Sequence, residues 1–517
     1  MTQTLNAIEL GLFSSRIEAV CDEMGAQLQQ AAFSPNIRDR LDYSCAVFDA
    51  QGGLCAQAAH IPVHLGSMAY AMAGIVSRLD WQPGDMVILN DPYLGGTHLP
   101  DVTLIAPVFS EDGLMGFVAN RAHHADIGAE SPGSMPISRN LMEEGLLIPP
   151  GHILRQGVRD EALMQRITES SRNVQDAEGD VAAQISANQR GVTRLMELIE
   201  GMGAEAYLQG LMSLNDYGER LALSALSQIP DGEYHFSDVM DDDGLGNTDI
   251  CIKAALKAVA GKVDVDFTGT AEQVHGNINC PLSVTAAGVF YAFRCLMPEQ
   301  TPACAGTFRP IKLSAPEGSL LNAQRPAAVA AGNVETSTRV VDVVLGALAQ
   351  AVPDLIPAAS QGSMNNLAMG HSGDQAWGYY ETIGGGMGAG RDGGGLSAVQ
   401  THMTNTRNTP IEVLEMRYPL RVNEYSVRHG SGGRGQCKGG DGLIREYEFL
   451  GPAQVTLLTE RRRYQPWGIK DGEPGLVGVN QLNDELLPPK CSRHLEAGDR
   501  LRIETPGGGG YGSPEQE

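Results

Sequence analysis

The segment "NDPYLGGTHLPD", residues 90–101, concentrates side chains that can bind a metal ion or transfer protons. It holds Asp91, His98 and Asp101 among two prolines and a Gly-Gly pair, so neither a regular helix nor a central strand forms here. Imidazole and carboxylate groups are ligands for zinc, manganese and iron. His98 and Asp101 lie three residues apart, which suits a loop carrying two ligands. Aspartates in such loops also cap turns through backbone N–H groups, and spacing alone leaves both interpretations open.

A second group of the same residue types follows at His123, His124 and Asp126. Five of the twelve histidines fall between residues 60 and 124: His60, His64, His98, His123 and His124. The run "DVTLIAPVFSEDGLMGFVANRAHH" predicts a β-hairpin with its turn at residues 110–113, so its return strand ends at the histidine pair. Neighbours on a strand point to opposite faces, so at most one of the pair faces any given site and the other is expected in the core.

Asp42, in "RDRLD", either joins these candidates or pairs with Arg38 or Arg40. It comes just before another predicted hairpin, "YSCAVFDAQGGLCAQ", whose turn lies at residues 49–53. The run "GDMVILND" predicts a buried strand that leads directly into the loop with His98. Hairpin ends can bring together residues that are far apart in sequence, so these elements have to position the site.

Helices and strands interleave irregularly along the chain. Apolar residues at helical spacing predict a long helix over residues 4–32 and a mostly helical segment from 151 to about 229. The β pattern returns from residue 232, with shorter helices at 284–297 and 340–352. The fold class is therefore α+β (mixed α/β). We expect four regions: a helix and hairpins at 1–150, a helical segment at 151–230, an α/β region at 231–360, and a glycine-rich region containing strands at 361–517.

Composition excludes several classes of protein. With 37 basic and 62 acidic side chains, the net charge of −25 argues against a nucleic-acid partner. The nine cysteines contain no CxxC pair, as expected of a reduced protein. The first residues lack the pattern of a signal peptide, and no apolar run is long enough to span a membrane. We therefore expect a soluble, cytoplasmic protein.

Two other kinds of catalytic motif are absent. The run "GGGMGAGRDGGG", residues 384–395, has neither the GxxxxGK[ST] nor the GxGxxG pattern of a nucleotide-binding loop. We expect a structural loop in which backbones approach closely. No GxSxG motif and no cysteine in a recognisable nucleophile motif is present, so covalent serine or cysteine catalysis has no support.

Several longer motifs resemble the hydantoinase B/oxoprolinase family. They include "SCAVFDAQGGLCAQAAHIPVHLGSMAYAM", "PGDMVILNDPYLGGTHLPDVTLIAPVF", "NRAHHADIGAESPGSMP", "GDVAAQISANQRG", "NCPLSVTAAGVFYAFRCLM", "ETIGGGMGA", "TNTRNTPIEVLE" and "TPGGGGYG". The similarity covers nearly the whole chain in the expected order. It implies a large, multi-lobed hydantoinase B-type fold whose hairpins carry the site.

The resemblance also implies a division of labour between two chains. An A-type subunit with an actin-like kinase fold uses ATP to phosphorylate a carbonyl or enol oxygen of the substrate. The B-type chain then acts on the activated species with a divalent metal, here zinc, manganese or iron. The family's ligand motifs place this metal on His98, Asp101 and His123, with Asp42 as a fourth ligand. Position alone suggests Asp126 or His124 as the proton shuttle.

Three functions follow as hypotheses. The leading one is the B subunit of an ATP-dependent hydrolase that opens a hydantoin, 5-oxoproline or a related lactam. The second is a subunit of an acetone- or acetophenone-type carboxylase, and the third is a non-catalytic scaffold for the A subunit. Relatives of the carboxylase type are longer, which favours the hydrolase, and a scaffold does not need convergent histidine and aspartate residues. We expect no ATP hydrolysis by this chain alone.

Overall fold

The N-terminal part of the chain is organised around a seven-stranded antiparallel sheet. The computed structural model describes residues 5–59, 61–373 and 376–514, so His60 lies outside the described residues. The elements of this part are α1 (Ala7–Ala31), α2 (Pro35–Arg38), β1 (Tyr43–Phe48), β2 (Leu54–Ala59), α3 (Pro62–Val76), β3 (Met86–Leu89), β4 (Asp101–Ser110), β5 (Gly113–His123), β6 (Gly151–Arg155) and β7 (Val158–Arg159). The strand order is β2-β1-β5-β4-β3-β6-β7.

Both faces of this sheet are buried. Side chains alternate along β1, so Cys45 and Val47 join the core that contains α1, whereas Ala46 and Phe48 join the core that contains α3. A strand covered on both faces is apolar at successive positions, which explains its unbroken burial. The sheet therefore holds its strand ends rigidly between two helical layers.

The predicted elements of this part are confirmed, but α2, α3 and the strands β6 and β7 were not predicted. Helix α1 begins at a capping box formed by Asn6 and Glu9, and both predicted hairpins and the strand β3 are present. The segment from residue 151 does not begin with a helix, because β6 and β7 form a further hairpin that extends the sheet. Its turn residues Gln156 and Gly157 both have positive φ, as a two-residue type I′ turn requires.

The middle of the chain contains the predicted helices and a second sheet. Its elements are α4 (Glu161–Ser170), α5 (Val174–Met202), α6 (Ala204–Leu226), β8 (Gly232–Asp242), β9 (Thr248–Val259), β10 (Lys262–Asp266), α7 (Leu282–Arg294), α8 (Ala305–Phe308), β11 (Ile311–Ser314) and α9 (Ser337–Ala351). The second sheet has the order β11-β10-β9-β8. Helices α7 and α9 share one hydrophobic core with this sheet and with α3 of the N-terminal part.

The C-terminal part consists of two more sheets and long irregular segments. Its elements are β12 (Asn366–His371), β13 (Trp377–Glu381), α10 (Ile411–Arg417), β14 (Leu420–Arg428), β15 (Gly442–Phe449), β16 (Ala453–Leu458), β17 (Val479–Leu482), β18 (Glu485–Leu486), β19 (Lys490–Leu495) and β20 (Arg500–Glu504). The sheets have the orders β13-β12-β16-β19 and β14-β15-β20-β17-β18. The mixed α/β class is thus confirmed, while the boundaries of the four regions stay a prediction.

The glycine-rich segments pack backbone against backbone. A side chain at Gly440 would overlap the carbonyl oxygen of Leu396, and a side chain at Gly508 would overlap that of Met387. In the same region the N–H of Gly386 donates to the carbonyl of Pro506 at 3.0 Å. This close approach requires glycine, in agreement with the prediction of a structural loop. Within the described residues, none of the helices has the length and apolar character that a membrane span requires.

Candidate metal centre

The loop between β3 and β4 is held in place by its first two residues. Asn90 accepts a hydrogen bond from the N–H of Ile148 at 2.7 Å and donates to the carbonyl of Leu99 at 2.8 Å. Asp91 accepts from the N–H of Tyr93, which caps a short 3₁₀ turn, and its carboxylate pairs with Arg325. Asp91 therefore has the turn-capping role, and the rest of the loop is free to present His98.

Three of the predicted ligands converge in the protein interior. Asp101 opens β4 directly opposite His123, the last residue of β5. The Oδ1 atom of Asp101 lies 3.2 Å from both His98 Nε2 and His123 Nδ1, and these two nitrogens are 3.3 Å apart. One ligand atom from each residue lies within 4.8 Å of the others, and all three residues are buried.

The chemistry of these atoms fits a bound cation. His98 Nδ1 lies 3.2 Å from the carbonyl oxygen of Ala330, a contact that requires a proton on Nδ1, so Nε2 is the nitrogen that would bind a cation. This nitrogen faces an ionised oxygen of Asp101 at 3.2 Å. Metal–ligand bonds of about 2.0–2.2 Å place neighbouring ligand atoms roughly 3 Å apart. His123 Nε2 is buried and has no hydrogen-bond partner among the described residues.

Charge at the cluster is set mainly by Asp101. Burial raises the pKa of its carboxyl, but the imidazoles of His98 and His64 outweigh that effect and hold the pKa well below its usual range. For His98, burial lowers the pKa but the Asp101 carboxylate outweighs it, so the pKa is raised. Burial lowers the pKa of His123. A buried, ionised carboxylate requires a neighbouring positive charge, which a divalent cation supplies.

His64 belongs to this cluster, although sequence reasoning assigned it no role. It lies on α3, with Nε2 3.3 Å from Asp101 Oδ2 and Nδ1 3.3 Å from the hydroxyl of Ser44. The feature of the sequence that could have indicated a role for His64 is its place among the five histidines between residues 60 and 124. Nothing in its local sequence links it to Asp101, because α3 reaches the site only through tertiary packing.

A cavity of about 20 Å³ borders the cluster, with room for roughly one water molecule. We refer to it as the inner cavity. It is lined by Asp42, Ile61, Val63, His64, Asp101, His123, Asn333, Val334, Met364, Tyr380, Thr382, Met403, Thr404 and Thr406. Asp42 thus borders the cavity, while its carboxylate lies 3.9 Å from Arg40. Its backbone carbonyl also accepts from the N–H of His123 at 3.0 Å.

Further side chains fix the orientation of the cluster. The ring of Tyr380 stacks on His123 with centroids 4.9 Å apart, and its hydroxyl donates to Asn366 at 2.7 Å. Thr97 donates its hydroxyl to Asp101. The amide of Asn333 lies 3.4 Å from the same carboxylate, on a π-helical turn over Gly332–Thr336. Such turns are frequent at functional sites, but a single sequence gives no pattern for them.

The two proposed proton shuttles lie elsewhere. His124 Nε2 is 2.9 Å from Gln184 Oε1, so strand alternation turns it away from the cluster, as predicted for one of the pair. Asp126 accepts from Ser134 Oγ at 2.9 Å and from the N–H of Arg172 at 2.7 Å. Neither residue lines the inner cavity. The structure therefore places both outside the site, with Asp126 acting as a loop anchor.

Comparisons of the sequence with a family profile and with known proteins point to the same family. The profile of the Hydantoinase B/oxoprolinase family matches residues 6–514. The 5-oxoprolinase 1 of Arabidopsis thaliana is 41% identical over 98% of this chain and 42% of its own length. A protein of Pseudomonas sp. strain NS671, provisionally named as the B subunit of a D-/L-hydantoinase, is 34% identical over 99% of this chain and 90% of its own length.

A solved structure extends this agreement to the fold. The ATP-dependent caprolactamase from Pseudomonas jessenii superposes with a TM-score of 0.91 at 27% sequence identity, covering 99% of this chain and 92% of the other. This chain spans about two-fifths of the length of the 5-oxoprolinase relative and about nine-tenths of the hydantoinase relative.

Proposed function

The chain belongs to the hydantoinase B/oxoprolinase family, and from this premise we propose that it supplies the hydrolytic metal site of an ATP-dependent enzyme that opens cyclic amides. The observation that carries the proposal is the buried convergence of His98, Asp101 and His123. Relatives named 5-oxoprolinase and caprolactamase support a lactam or a related ring as the substrate class.

We propose that the chain works as a B-type subunit. The provisional name of the hydantoinase relative, which has about the same length as this chain, supports a separate partner chain. In this proposal an A-type chain with an actin-like kinase fold binds ATP and phosphorylates the ring carbonyl oxygen. The amide nitrogen is a poor leaving group because of resonance, and phosphorylation produces an imidate-like carbon that water attacks more readily.

The residues of this chain hold the reacting groups in place. His98, Asp101 and His123 would hold the divalent ion, with Asp42 and His64 beside them, and mixed imidazole and carboxylate ligands suit zinc, manganese or iron. When bound, such an ion lowers the pKa of a water molecule towards neutrality. The carbonyl of Ala330 fixes the tautomer of His98. The inner cavity admits only about one water molecule, so its walls exclude bulk solvent from that water.

The purified chain alone should hydrolyse neither ATP nor a lactam at a significant rate. The reason is that the proposed activation step belongs to the partner. Co-expression with the A-type subunit should give a complex that couples ATP hydrolysis to the opening of at least one ring in a panel of hydantoins, 5-oxoproline and caprolactam. The measurement is steady-state release of phosphate and of ring-opened product from the chain and from the complex.

Three outcomes of that assay count against the proposal. Robust ATP hydrolysis by the single chain would contradict the assignment of ATP to the partner. ATP turnover by the complex that depends on bicarbonate would indicate the carboxylase alternative. If substitution of the metal ligands left both assembly of the complex and ring opening at wild-type levels, the result would indicate that this chain is a scaffold.

A further inference from the structure

A second, larger cavity lies against the inner cavity. It measures about 470 Å³, and we refer to it as the vestibule. It is lined by Gly384, Ala398, Gln400, Thr406, Arg407, Asn408, Thr409, Pro410, Ile411, Glu412, Tyr425 and Leu443. Thr406 lines both cavities, so the two spaces share a wall. The volume falls within the range of about 300–1,000 Å³ typical of pockets for small molecules.

Two hydroxyl groups meet where the cavities adjoin. Thr382, which lines the inner cavity, and Thr406 are joined by a hydrogen bond of 2.6 Å between their Oγ1 atoms. From the vestibule side, Asn408 donates to the carbonyl of Thr382 at 2.9 Å, and Gln400 donates to its hydroxyl at 3.2 Å. The hydrogen bond between Thr382 and Thr406 thus joins a residue of the inner cavity to the residue that both cavities share.

The vestibule lining carries one positive and one negative side chain, and within the described residues neither forms an ion pair. These two charged residues are Arg407 and Glu412, and both are exposed. The backbone of Arg407 is fixed by a hydrogen bond of 3.0 Å from its N–H to the carbonyl of Arg40. Within the described ranges its guanidinium forms no ion pair, whereas nearby Arg445 is neutralised by Glu381 at 3.0 Å. A guanidinium with free donors is suited to carboxylate or phosphate oxygens.

Gln400 lines the vestibule but braces its wall. Its amide nitrogen donates to Thr382, and its Oε1 atom is buried, so a molecule in the vestibule does not reach it. The group that the lining offers to an anion is therefore the guanidinium of Arg407.

We propose that the vestibule is the substrate-binding site, in which Arg407 binds an anionic group of the cyclic amide. The hydrogen bond between Thr382 and Thr406 then separates to expose the bound ring to the metal centre. This inference rests on the proposed function for the identity of the ring. The anion is either a ring carboxylate or the phosphate added during activation, since both present oxygens to a guanidinium.

The test compares Arg407→Ala with the wild type in the complex on two rings, 5-oxoproline and 2-pyrrolidinone, which lacks the carboxylate. If Arg407 binds the carboxylate, its loss should raise the KM for 5-oxoproline about 10-fold or more, with little change for 2-pyrrolidinone. If it binds the phosphate, kcat should fall about 10-fold or more for both rings. Arg220→Ala, on α6 and outside both cavities, is the matched control and should leave both parameters unchanged.

A binding measurement keeps this inference separate from the proposed function. The full chain without its partner should bind 5-oxoproline or inorganic phosphate in a calorimetric titration, and Arg407→Ala should weaken that binding about 10-fold or more. Arg407→Lys, which keeps the charge but not the planar fork, should restore part of it. Unchanged kinetics and binding in Arg407→Ala, or no binding of either probe by the wild type, would overturn the inference. A complex that opens no ring while the wild-type chain binds a probe through Arg407 would overturn only the proposed function.

Discussion

Replacing His98 with alanine should abolish most of the turnover of the reconstituted complex. His98 contributes one of three ligand atoms that converge within 4.8 Å, and its Nε2 is aimed by the Ala330 carbonyl. Loss of residues that merely support metal ligands typically costs about 10- to 100-fold in activity or affinity. We therefore expect a loss of more than about 100-fold in kcat for ring opening, measured by product release.

The same variant should remain folded and associate with its partner. Sizing of the complex and a thermal melt provide these two controls, because a folding defect would lower activity and association together. If His98→Ala retained at least a tenth of the wild-type kcat, His98 would not be a ligand of the catalytic metal. His98 would then be a core histidine whose role is confined to packing and hydrogen bonding.

Replacing Lys490 with methionine should strongly destabilise the fold without touching the metal centre. Lys490 is 4% exposed, and its ammonium group pairs with Glu460, whose other carboxylate oxygen is 3.2 Å from Arg339. Removing one partner of a buried ion pair typically costs about 3–5 kcal/mol, and the lower end applies here because Glu460 keeps Arg339 as a charged partner. We expect a loss of this size in the free energy of unfolding, measured by denaturant titration.

The loss should depend on pH in a defined direction. Burial raises the pKa of the Glu460 carboxyl, and Lys490 is the main group that lowers it again. Without Lys490 the folded state binds a proton at Glu460 more readily than the unfolded chain, so stability rises as pH falls towards the unfolded pKa of about 4.3. The deficit of Lys490→Met should therefore shrink on acidification. A deficit that grows instead would contradict this role of the ion pair.

An exposed ion pair serves as the matched control for Lys490. Lys470 lies 3.0 Å from Asp354 at the protein surface, where solvent screens the interaction. Lys470→Met should leave the unfolding midpoint close to that of the wild type. Equal midpoints for Lys490→Met and Lys470→Met would mean that burial adds nothing to the interior ion pair.

The hairpins could be predicted from sequence, but the register that forms the site could not. Counting from the turn, where Ser110 pairs with Gly113, Asp101 would lie opposite Ala122. A bulge between Val108 and Phe109 shifts the register by one residue and brings Asp101 opposite His123. Because side chains alternate, a shift of one residue exchanges the faces of a strand. Only the folded hairpin shows which histidine faces Asp101.

Other parts of the site come from elements with no local signal. His64 arrives on α3, and Asn333 arrives on a π-helical turn far along the chain from Asp101. Tertiary packing alone brings them to the same carboxylate. Asp126 is the opposite case, because its position after the histidine pair suggested catalysis. Its carboxylate is taken up by Ser134 and Arg172 in a turn.

The most direct test of the metal centre is elemental analysis of three purified proteins. Wild type should contain about one divalent ion per chain, and His98→Ala should lose it. His124→Ala should keep it, since His124 is the adjacent buried imidazole that faces Gln184 instead of Asp101. This control separates loss of a metal ligand from loss of a buried histidine that lies near the cluster but faces away from it. Equal metal content in the wild type and in His98→Ala would contradict the assignment of the site.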